Sequence, residues 1–192
     1  MSTHRIIAQD LAYSGWLRLH LLTLETPDGT RFSRVAEDHG SAVAVLPYDP
    51  ERKVGVVVQQ TRAPLLLKKA APIVEAPAGL LDPDEKPVEA ARREALEETG
   101  LALREVEAIG EIWAMPGVST ERIALFLAEY EIGDRAHAGG GLAEEHEYIE
   151  VMERSLDSLW IEMTGPEPFD AKTRILLQAL RLKRPELFST PV

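Results

Sequence analysis

The chain has 192 residues, 45% hydrophobic and 28% charged, which is the balance of a globular protein with one ordinary domain, or one domain and a small added element. Its formal net charge of -11 argues against a nucleic acid partner, because such a partner requires a basic surface. It contains no cysteine, which excludes disulfides and thiolate metal sites, and no apolar run of about 18 residues that would predict a membrane span. The N-terminal sequence lacks the apolar core of a signal peptide, so we expect a cytoplasmic location.

The first 38 residues alternate between apolar and polar side chains, most clearly at residues 16–24. The turn-forming residues Pro27, Asp28 and Gly29 divide them, which predicts a β-hairpin or a small sheet. A small sheet of this kind is rarely stable alone in water, so we expect it to pack on the main domain or against a second subunit. We assign residues 1–38 to this N-terminal β element and residues 39–192 to the main domain.

Two apolar runs, residues 41–48 and 54–60, predict buried strands at the centre of a sheet, joined by a turn at residues 49–52. A loop then extends to residue 71, and a short strand follows at residues 73–76. A second loop, residues 78–86, leads into a helix predicted at residues 87–99.

The C-terminal half contains three further predicted strands, at residues 108–113, 123–130 and 149–153. Ser155 is suited to cap a helix that has one apolar stripe. A last helix follows Asp170, and its expected buried face consists of Ile175, Leu176, Ala179 and Leu180.

The helix at residues 87–99 concentrates acidic side chains on one patch of its surface. Glu94, Glu97 and Glu98 are spaced i, i+3 and i+4, and the positions one turn before Glu94 and one turn after Glu98 are alanine or leucine. The spacing therefore predicts that neither of these two glutamates has a basic partner. Each like-charge pair destabilises an isolated helix by roughly 0.2–0.5 kcal/mol. A bound divalent cation would compensate for this repulsion, whereas the alternative is an ordinary solvent-exposed acidic face.

The same helix and the loop before it match the sequence box of the Nudix hydrolases at every fixed spacing, through Gly79, Glu85, Arg93, Glu94, Glu97, Glu98 and Gly100. Ala95 and Leu101 occupy the two apolar positions of that box. The similarity extends over most of the chain and resembles the branch that cleaves nucleoside diphosphate sugars, the ADP-ribose and GDP-mannose pyrophosphatases. Residues 135–141 and 170–173 are more similar to the GDP-mannose enzymes.

This resemblance implies an α/β fold of the Nudix type, a mixed sheet sandwiched between helices, with an N-terminal β element. It implies a homodimer whose N-terminal elements are exchanged between subunits. The implied reaction is magnesium-dependent hydrolysis, with manganese as a substitute metal, of a nucleoside diphosphate sugar to a nucleoside monophosphate and a sugar phosphate. A substrate of the GDP-mannose type is favoured over ADP-ribose. The implied metal ligands are the carboxylates of Glu94, Glu97 and Glu98 and the backbone carbonyl of Ala78.

Arg93 is four residues from both Glu89 and Glu97, so on a helix we expect it to bridge them and to orient the ligands. The resemblance places the general base on the loop after the box, where Glu145 is favoured and Glu147 is the alternative. His146 has a suitable ordinary pKa but is disfavoured, because the family uses a carboxylate.

Roles are also expected for a run of three glycines and, from the resemblance, for four residues that bind the substrate. Gly139, Gly140 and Gly141 are expected either to let the acidic loop close over the substrate or to serve as a flexible connector. The residues expected to bind substrate are Arg34, acting in the partner subunit's pocket, and Arg62, Glu75 and Lys172.

Two other functions are open to this sequence. A regulator that binds a nucleotide sugar without cleaving it would retain the fold, although the complete carboxylate cluster argues against it. A triphosphatase that removes damaged nucleotides is disfavoured by the N-terminal extension and by the segments that resemble the sugar-nucleotide branch.

Overall fold

A computed structural model describes residues 3–142 and 147–189. The chain divides into two compact units, one formed by Met1–Ser41 and Ile112–Ile123, the other by Ala42–Glu111 and Ala124–Val192. The first unit thus includes a segment that the sequence assigns to the main domain. In the part of the chain that the structure describes, no helix is long and apolar enough to span a membrane.

The first unit contains an antiparallel sheet of three strands, β1 (Arg5–Ser14), β2 (Arg18–Glu25) and β3 (Arg31–Asp38), in that order. This confirms the predicted N-terminal sheet. The turn between β2 and β3 closes with a bond from the Gly29 N–H to the Thr26 carbonyl at 2.9 Å, and Gly29 has a φ of 87°. Every residue of β1 is exposed.

The second unit is built on a mixed sheet with the strand order β10-β5-β4-β9-β8. The short strands β6 and β7 pair with β5 and β4. The two strands predicted to be central are central, and every residue of β4 is buried. Most of β8 and β9 belongs to this unit, and residues 112–113 and 122–123 are assigned to the first. The bounds are β4 (Ala42–Asp49), β5 (Val54–Gln59), β6 (Val74–Glu75), β7 (Ala78–Leu80), β8 (Glu107–Trp113), β9 (Arg122–Glu129) and β10 (Glu150–Ser155).

The helices are α1 (Ala63–Leu67), α2 (Pro87–Thr99), α3 (Leu156–Thr164) and α4 (Ala171–Lys183). The acidic helix α2 has the predicted bounds, and Gly100 ends it with a φ of 74°. Ser155 caps α3, as predicted, by accepting a backbone N–H bond. Asp170, which the last helix was expected to follow, caps α4 in the same way. Two loop predictions were wrong, because α1 lies within the first loop and β7 begins the second. Both are short, and α1 has no buried residue, so neither has an apolar period to detect.

Helices pack on both faces of this sheet. On one face α2 contributes Ala91 and Ala95 to a core shared with Val43 and Val45. On the other face, Gly55 leaves the space in which Leu156 and Leu159 of α3 approach, since a Cβ there would lie 3.3 Å from Leu159. Of the predicted buried face of α4, Leu176 and Leu180 are fully buried, whereas Ile175 and Ala179 are half-buried. Helix α2 is therefore held firmly against the sheet, which fixes the position of its acidic side chains.

Candidate active site

Arg93 is the central cation of the α2 acidic patch. Its Nε and Nη2 donate to the two carboxylate oxygens of Glu85 at 3.0 and 2.9 Å, and Nη1 donates to Glu94 at 2.6 Å and to Glu97 at 3.1 Å. Nη2 also donates to the Leu80 carbonyl at 3.0 Å. Three carboxylates and one backbone carbonyl of β7 are thus held by one guanidinium, whose planar fork suits several acceptors.

This geometry corrects two predictions. Arg93 pairs with Glu97 as expected. Its predicted partner Glu89 pairs with Arg92 instead, at 3.1 Å, and Arg93 binds Glu85 in the loop before α2. Glu94 does have a basic partner, since the adjacent Arg93 curls back to it. The prediction considered only the positions one turn away and overlooked the neighbour in sequence.

Glu94 and Glu98 are buried carboxylates at the junction of α2 with β7, and 8% and 2% of their respective surfaces are exposed. Burial raises the pKa of Glu94 to about 7, opposed by Arg93 and reinforced by the charges of Glu97 and Glu147. Burial also raises the pKa of Glu98 to about 8, opposed by the Ala78 N–H and reinforced by Glu94 and Glu147. In both residues the charged form is therefore disfavoured while no cation is bound.

Strand β7 is shaped around these two carboxylates. The Ala78 N–H donates to Oε2 of Glu98 at 3.1 Å, which ties α2 to the strand. A Cβ at Gly79 would overlap the carboxylate of Glu94, so any other residue there would push that carboxylate away from its bond with Arg93. The box glycine therefore has a steric reason that can be read from the structure.

The donor chemistry of this site fits a hard divalent cation. Glu94 and Glu98 supply buried carboxylate oxygens that repel each other, and a cation would relieve that repulsion. Within residues 3–142 and 147–189, no group of three or more acidic or histidine side chains is arranged to hold a metal by itself. This arrangement is compatible with magnesium, which is usually held by one or two carboxylates together with water and substrate phosphates.

A second network lies beside the first. Arg62 binds Glu75 through two bonds of 2.9 and 3.0 Å, and Lys172 binds the same carboxylate at 2.6 Å and Asp170 at 3.0 Å. Although burial opposes ionisation of Glu75, the two cations hold its pKa below the ordinary value. The charge of Arg62 also lowers the pKa of Glu98, so the network is close to the carboxylate pair. Three of the residues predicted to bind substrate are thus brought together beside α2.

Thr173 completes this network, although nothing in the sequence marked it as a site residue. Its hydroxyl accepts a bond from the Ala76 N–H at 2.6 Å and donates to Asp170 at 2.6 Å, and the residue is fully buried. It joins the beginning of α4 to the strand that carries Glu75. The only available signal was the Asp-x-x-Thr spacing at the helix start, which by itself indicates a cap.

The remaining predicted residues have different outcomes. Glu147 is close enough to raise the pKa values of both Glu94 and Glu98. The favoured base, Glu145, and the disfavoured His146 lie outside the described residues. Arg34 belongs to the first unit, where its guanidinium lies over the Phe32 ring at 4.6 Å, and its role stays a prediction.

The chain is similar to several known proteins. The sequence model of the NUDIX domain family matches residues 38–179 of this chain. A GDP-mannose pyrophosphatase of Cronobacter sakazakii is 39% identical over 164 residues, 84% of each chain. GDP-mannose pyrophosphatases of Shigella dysenteriae and Escherichia coli O157:H7 are each 35% identical over 183 residues, 92% of this chain and 94% of theirs. A crystal structure described as an ADP compounds hydrolase has a TM-score of 0.76 over 95% of both chains at 17% identity, and so shares the fold.

Proposed function

The chain belongs to the Nudix family of hydrolases, and from this premise we propose that it hydrolyses the pyrophosphate bond of a nucleoside diphosphate sugar, with GDP-mannose preferred. The products are then GMP and mannose 1-phosphate. The observation that carries the proposal is the buried Glu94 and Glu98 pair on the box helix, beside the paired cations Arg62 and Lys172. The choice of sugar nucleotide follows the relatives that are 35–39% identical.

The proposal includes a divalent cation, Mg²⁺ or Mn²⁺, held by Glu94, Glu97, Glu98 and the Ala78 carbonyl. Nudix hydrolases generally need divalent metal ions. When bound, the ion would neutralise the two phosphates and lower the pKa of the attacking water. Arg93 holds Glu94 and Glu97 in place, so we assign it to orienting the ligands.

The chain's own residues bind the substrate and accept the proton of the attacking water. Arg62 and Lys172 would move from Glu75 toward the phosphates or the sugar, and Glu75 would keep both cations in position before substrate arrives. Water attacks one phosphorus, its proton passes to a carboxylate base, and the bond from that phosphorus to the bridging oxygen breaks with its electron pair on the departing phosphate. Glu147 or Glu145 is the proposed base, and Glu147 is the one that the described residues bring near Glu94 and Glu98.

The direct test incubates the purified protein and Mg²⁺ with GDP-mannose, ADP-ribose, ADP-glucose and UDP-glucose, and separates the products by chromatography. We expect the largest kcat/KM with GDP-mannose and no turnover in excess chelator. Hydrolysis in oxygen-labelled water would then identify the phosphorus that is attacked. A folded protein that cleaves none of the four with either Mg²⁺ or Mn²⁺ would overturn the proposal.

Three variants assign the roles. Glu98→Gln should lower kcat more than about 100-fold, because it removes the charge of a ligand while its amide oxygen can still accept the Ala78 N–H bond. Glu147→Gln and Glu145→Gln separate the two candidate bases, because only the base should cost about 100-fold or more. Equal, small losses in both would transfer the base role to a box glutamate.

We also propose that the chain forms a homodimer through the sheet of the first unit. That sheet exposes large apolar side chains on both of its faces, and exposed apolar side chains of this kind suit a protein–protein interface. They are Ile6, Leu11, Tyr13, Leu21 and Val35, each between 41% and 58% exposed.

Size-exclusion chromatography with light scattering tests the dimer. Leu11→Glu should give a monomer, because it places a charge in the proposed interface. Leu182→Glu is the matched control, since Leu182 is 85% exposed on α4 in the other unit and its replacement should leave the dimer intact. A monomeric native protein at micromolar concentration would refute the dimer without affecting the proposed reaction.

A further inference from the structure

The glycine triplet, defined as Gly139, Gly140 and Gly141, has an unusual backbone. Their φ angles are 74°, 116° and 78°, so all three lie in the region that side chains of L-residues rarely adopt. A residue other than glycine costs roughly 1–2 kcal/mol at each such position. Three glycines in succession are therefore needed for a defined conformation, which is a different reason from flexibility.

The triplet is hydrogen-bonded to the C-terminal end of α2. The N–H groups of Gly140 and Gly141 donate to the carbonyls of Glu98 and Glu97 at 2.8 and 3.2 Å. The last carbonyls of a helix lack partners within the helix, so these bonds do what a helix cap does.

The residues just before the triplet continue the same pattern. Arg135 Nη1 donates to the Thr99 carbonyl at 2.8 Å, and the Ala136 N–H donates to the Gly100 carbonyl at 2.8 Å. Four consecutive carbonyls, residues 97–100, are thus bound by one segment, residues 135–141. Two of them belong to proposed metal ligands.

Gly139 of the glycine triplet and His137, two residues before it, lie in close steric contact with the C-terminal end of α2 and with Gly100. A Cβ at Gly139 would lie 2.7 Å from the Thr99 Cα and would overlap the Glu98 carbonyl, and one at Gly100 would overlap the backbone of His137. A Cβ at Gly140 would meet nothing nearer than the Ile149 carbonyl at 3.8 Å. Contact with α2 therefore requires glycine at 139, whereas at 140 only the φ angle does.

The glycine triplet is connected in turn to the Glu147 segment, defined as residues 147–149. The Ile149 N–H donates to the Gly140 carbonyl at 3.2 Å. The Leu142 N–H donates to the Glu147 carboxylate at 3.2 Å, and the Glu147 N–H donates to the Leu142 carbonyl at 3.3 Å. A continuous set of bonds therefore connects the carbonyls of Glu97 and Glu98 with Glu147.

We propose that the glycine triplet is an anchor rather than a hinge: it fixes the Glu147 segment on the C-terminal end of α2 and so sets the distance between Glu147 and the carboxylates of Glu94 and Glu98. This inference rests on the proposed function for its catalytic consequence. The triplet is a positioning element, because it contacts the ligand-bearing helix through the backbone and not the substrate.

Amide hydrogen exchange in the folded wild-type protein tests the anchor without any catalytic assay. The Gly140 and Gly141 amides should exchange more than about tenfold slower than in an unstructured peptide, because both are hydrogen-bonded to α2. Slowing of less than about tenfold would mean that the triplet is a flexible connector, and the anchor would be refuted.

A pair of variants tests the catalytic consequence. Gly139→Ala and Gly140→Ala both introduce an alanine at positive φ, so both should lower the melting temperature, but only the first displaces the segment from α2. We expect kcat of Gly139→Ala to fall at least about tenfold below that of Gly140→Ala, with KM values of the two within about threefold. Equal kcat values in the two folded variants would refute the positioning role.

The two proposals can fail separately. If the wild-type protein cleaves no nucleotide sugar but its Gly140 and Gly141 amides are protected, the proposed function fails and the anchor stands. If it cleaves GDP-mannose while these amides exchange freely, the anchor fails and the function stands.

Discussion

Replacing Glu98 by glutamine should change how the stability of the metal-free protein depends on pH. Glu98 is 2% exposed and has a pKa of about 8, raised chiefly by burial from an ordinary value of 4.5. The folded protein therefore holds a proton on Glu98 that the unfolded chain releases. The stabilisation is complete below about pH 4.5 and is lost as the pH rises through about 8.

The size of the effect follows from linkage. One proton held by the folded state but not by the unfolded state changes the free energy of unfolding by about 1.4 kcal/mol per pH unit. Between pH 5 and pH 8 Glu98 should therefore lower the stability of the wild-type protein by about 3–4 kcal/mol, because its ionisation is incomplete at both ends of this range. In Glu98→Gln this contribution is absent, while the amide oxygen can still accept the Ala78 N–H bond at the place of the carboxylate. The pH dependence that remains should come largely from Glu94, whose pKa is about 7.

Urea unfolding in excess chelator, followed by circular dichroism at pH 5 and pH 8, measures both free energies. The matched control is Glu89→Gln, since Glu89 is on the same helix but its side chain is 57% exposed. The control should show the wild-type pH dependence. If Glu98→Gln shows the same pH dependence as the wild type, Glu98 ionises at its ordinary pKa. Burial then does not raise its pKa, and the reasoning is refuted.

Three further outcomes follow from the same geometry. Calorimetry of Mn²⁺ binding at pH 7, repeated in buffers of different ionisation enthalpy, should show net proton release that decreases in Glu98→Gln, because the ligand must ionise to bind. Arg93→Lys should lower kcat/KM about 10–100-fold, since lysine cannot reproduce the bonds of the fork, whereas Arg92→Lys should have little effect. Thr173→Val should cost about 1–3 kcal/mol in urea unfolding by leaving the buried Ala76 N–H unpaired, and Thr173→Ser should restore most of it.

The parts of the fold that sequence predicted best are those determined locally. Helix α2 begins at Pro87 and ends before Gly100 as expected, because a first-turn proline and a left-handed glycine act within one turn of their own positions. The two central strands were predicted because each is a nearly continuous apolar run. The short elements α1 and β7 were missed because neither is long enough to show a period.

The parts of the site that sequence did not predict depend on contacts between distant residues. Lys172 and Glu75 are 97 positions apart, so no spacing rule connects them. Arg93 selects Glu85 rather than Glu89 because the loop before α2 turns back over the helix, which residue counting along an ideal helix does not include. For the glycine triplet, sequence indicated the need for glycine but gave no means to distinguish a hinge from a backbone held at positive φ.

Residues 75–79 connect the carboxylates proposed to hold the metal with the network that contains Arg62 and Lys172. Within five consecutive positions, Glu75 binds both cations, Ala76 binds the hydroxyl at the start of α4, Ala78 binds Glu98, and Gly79 makes room for Glu94. The distance between the groups proposed to hold the cation and those proposed to hold the substrate is therefore set by a short stretch of backbone paired into the sheet, and not by the packing of two independent elements. A pyrophosphate must contact both sets at once, so a change in this segment should disturb the reaction more than an equal change in either helix.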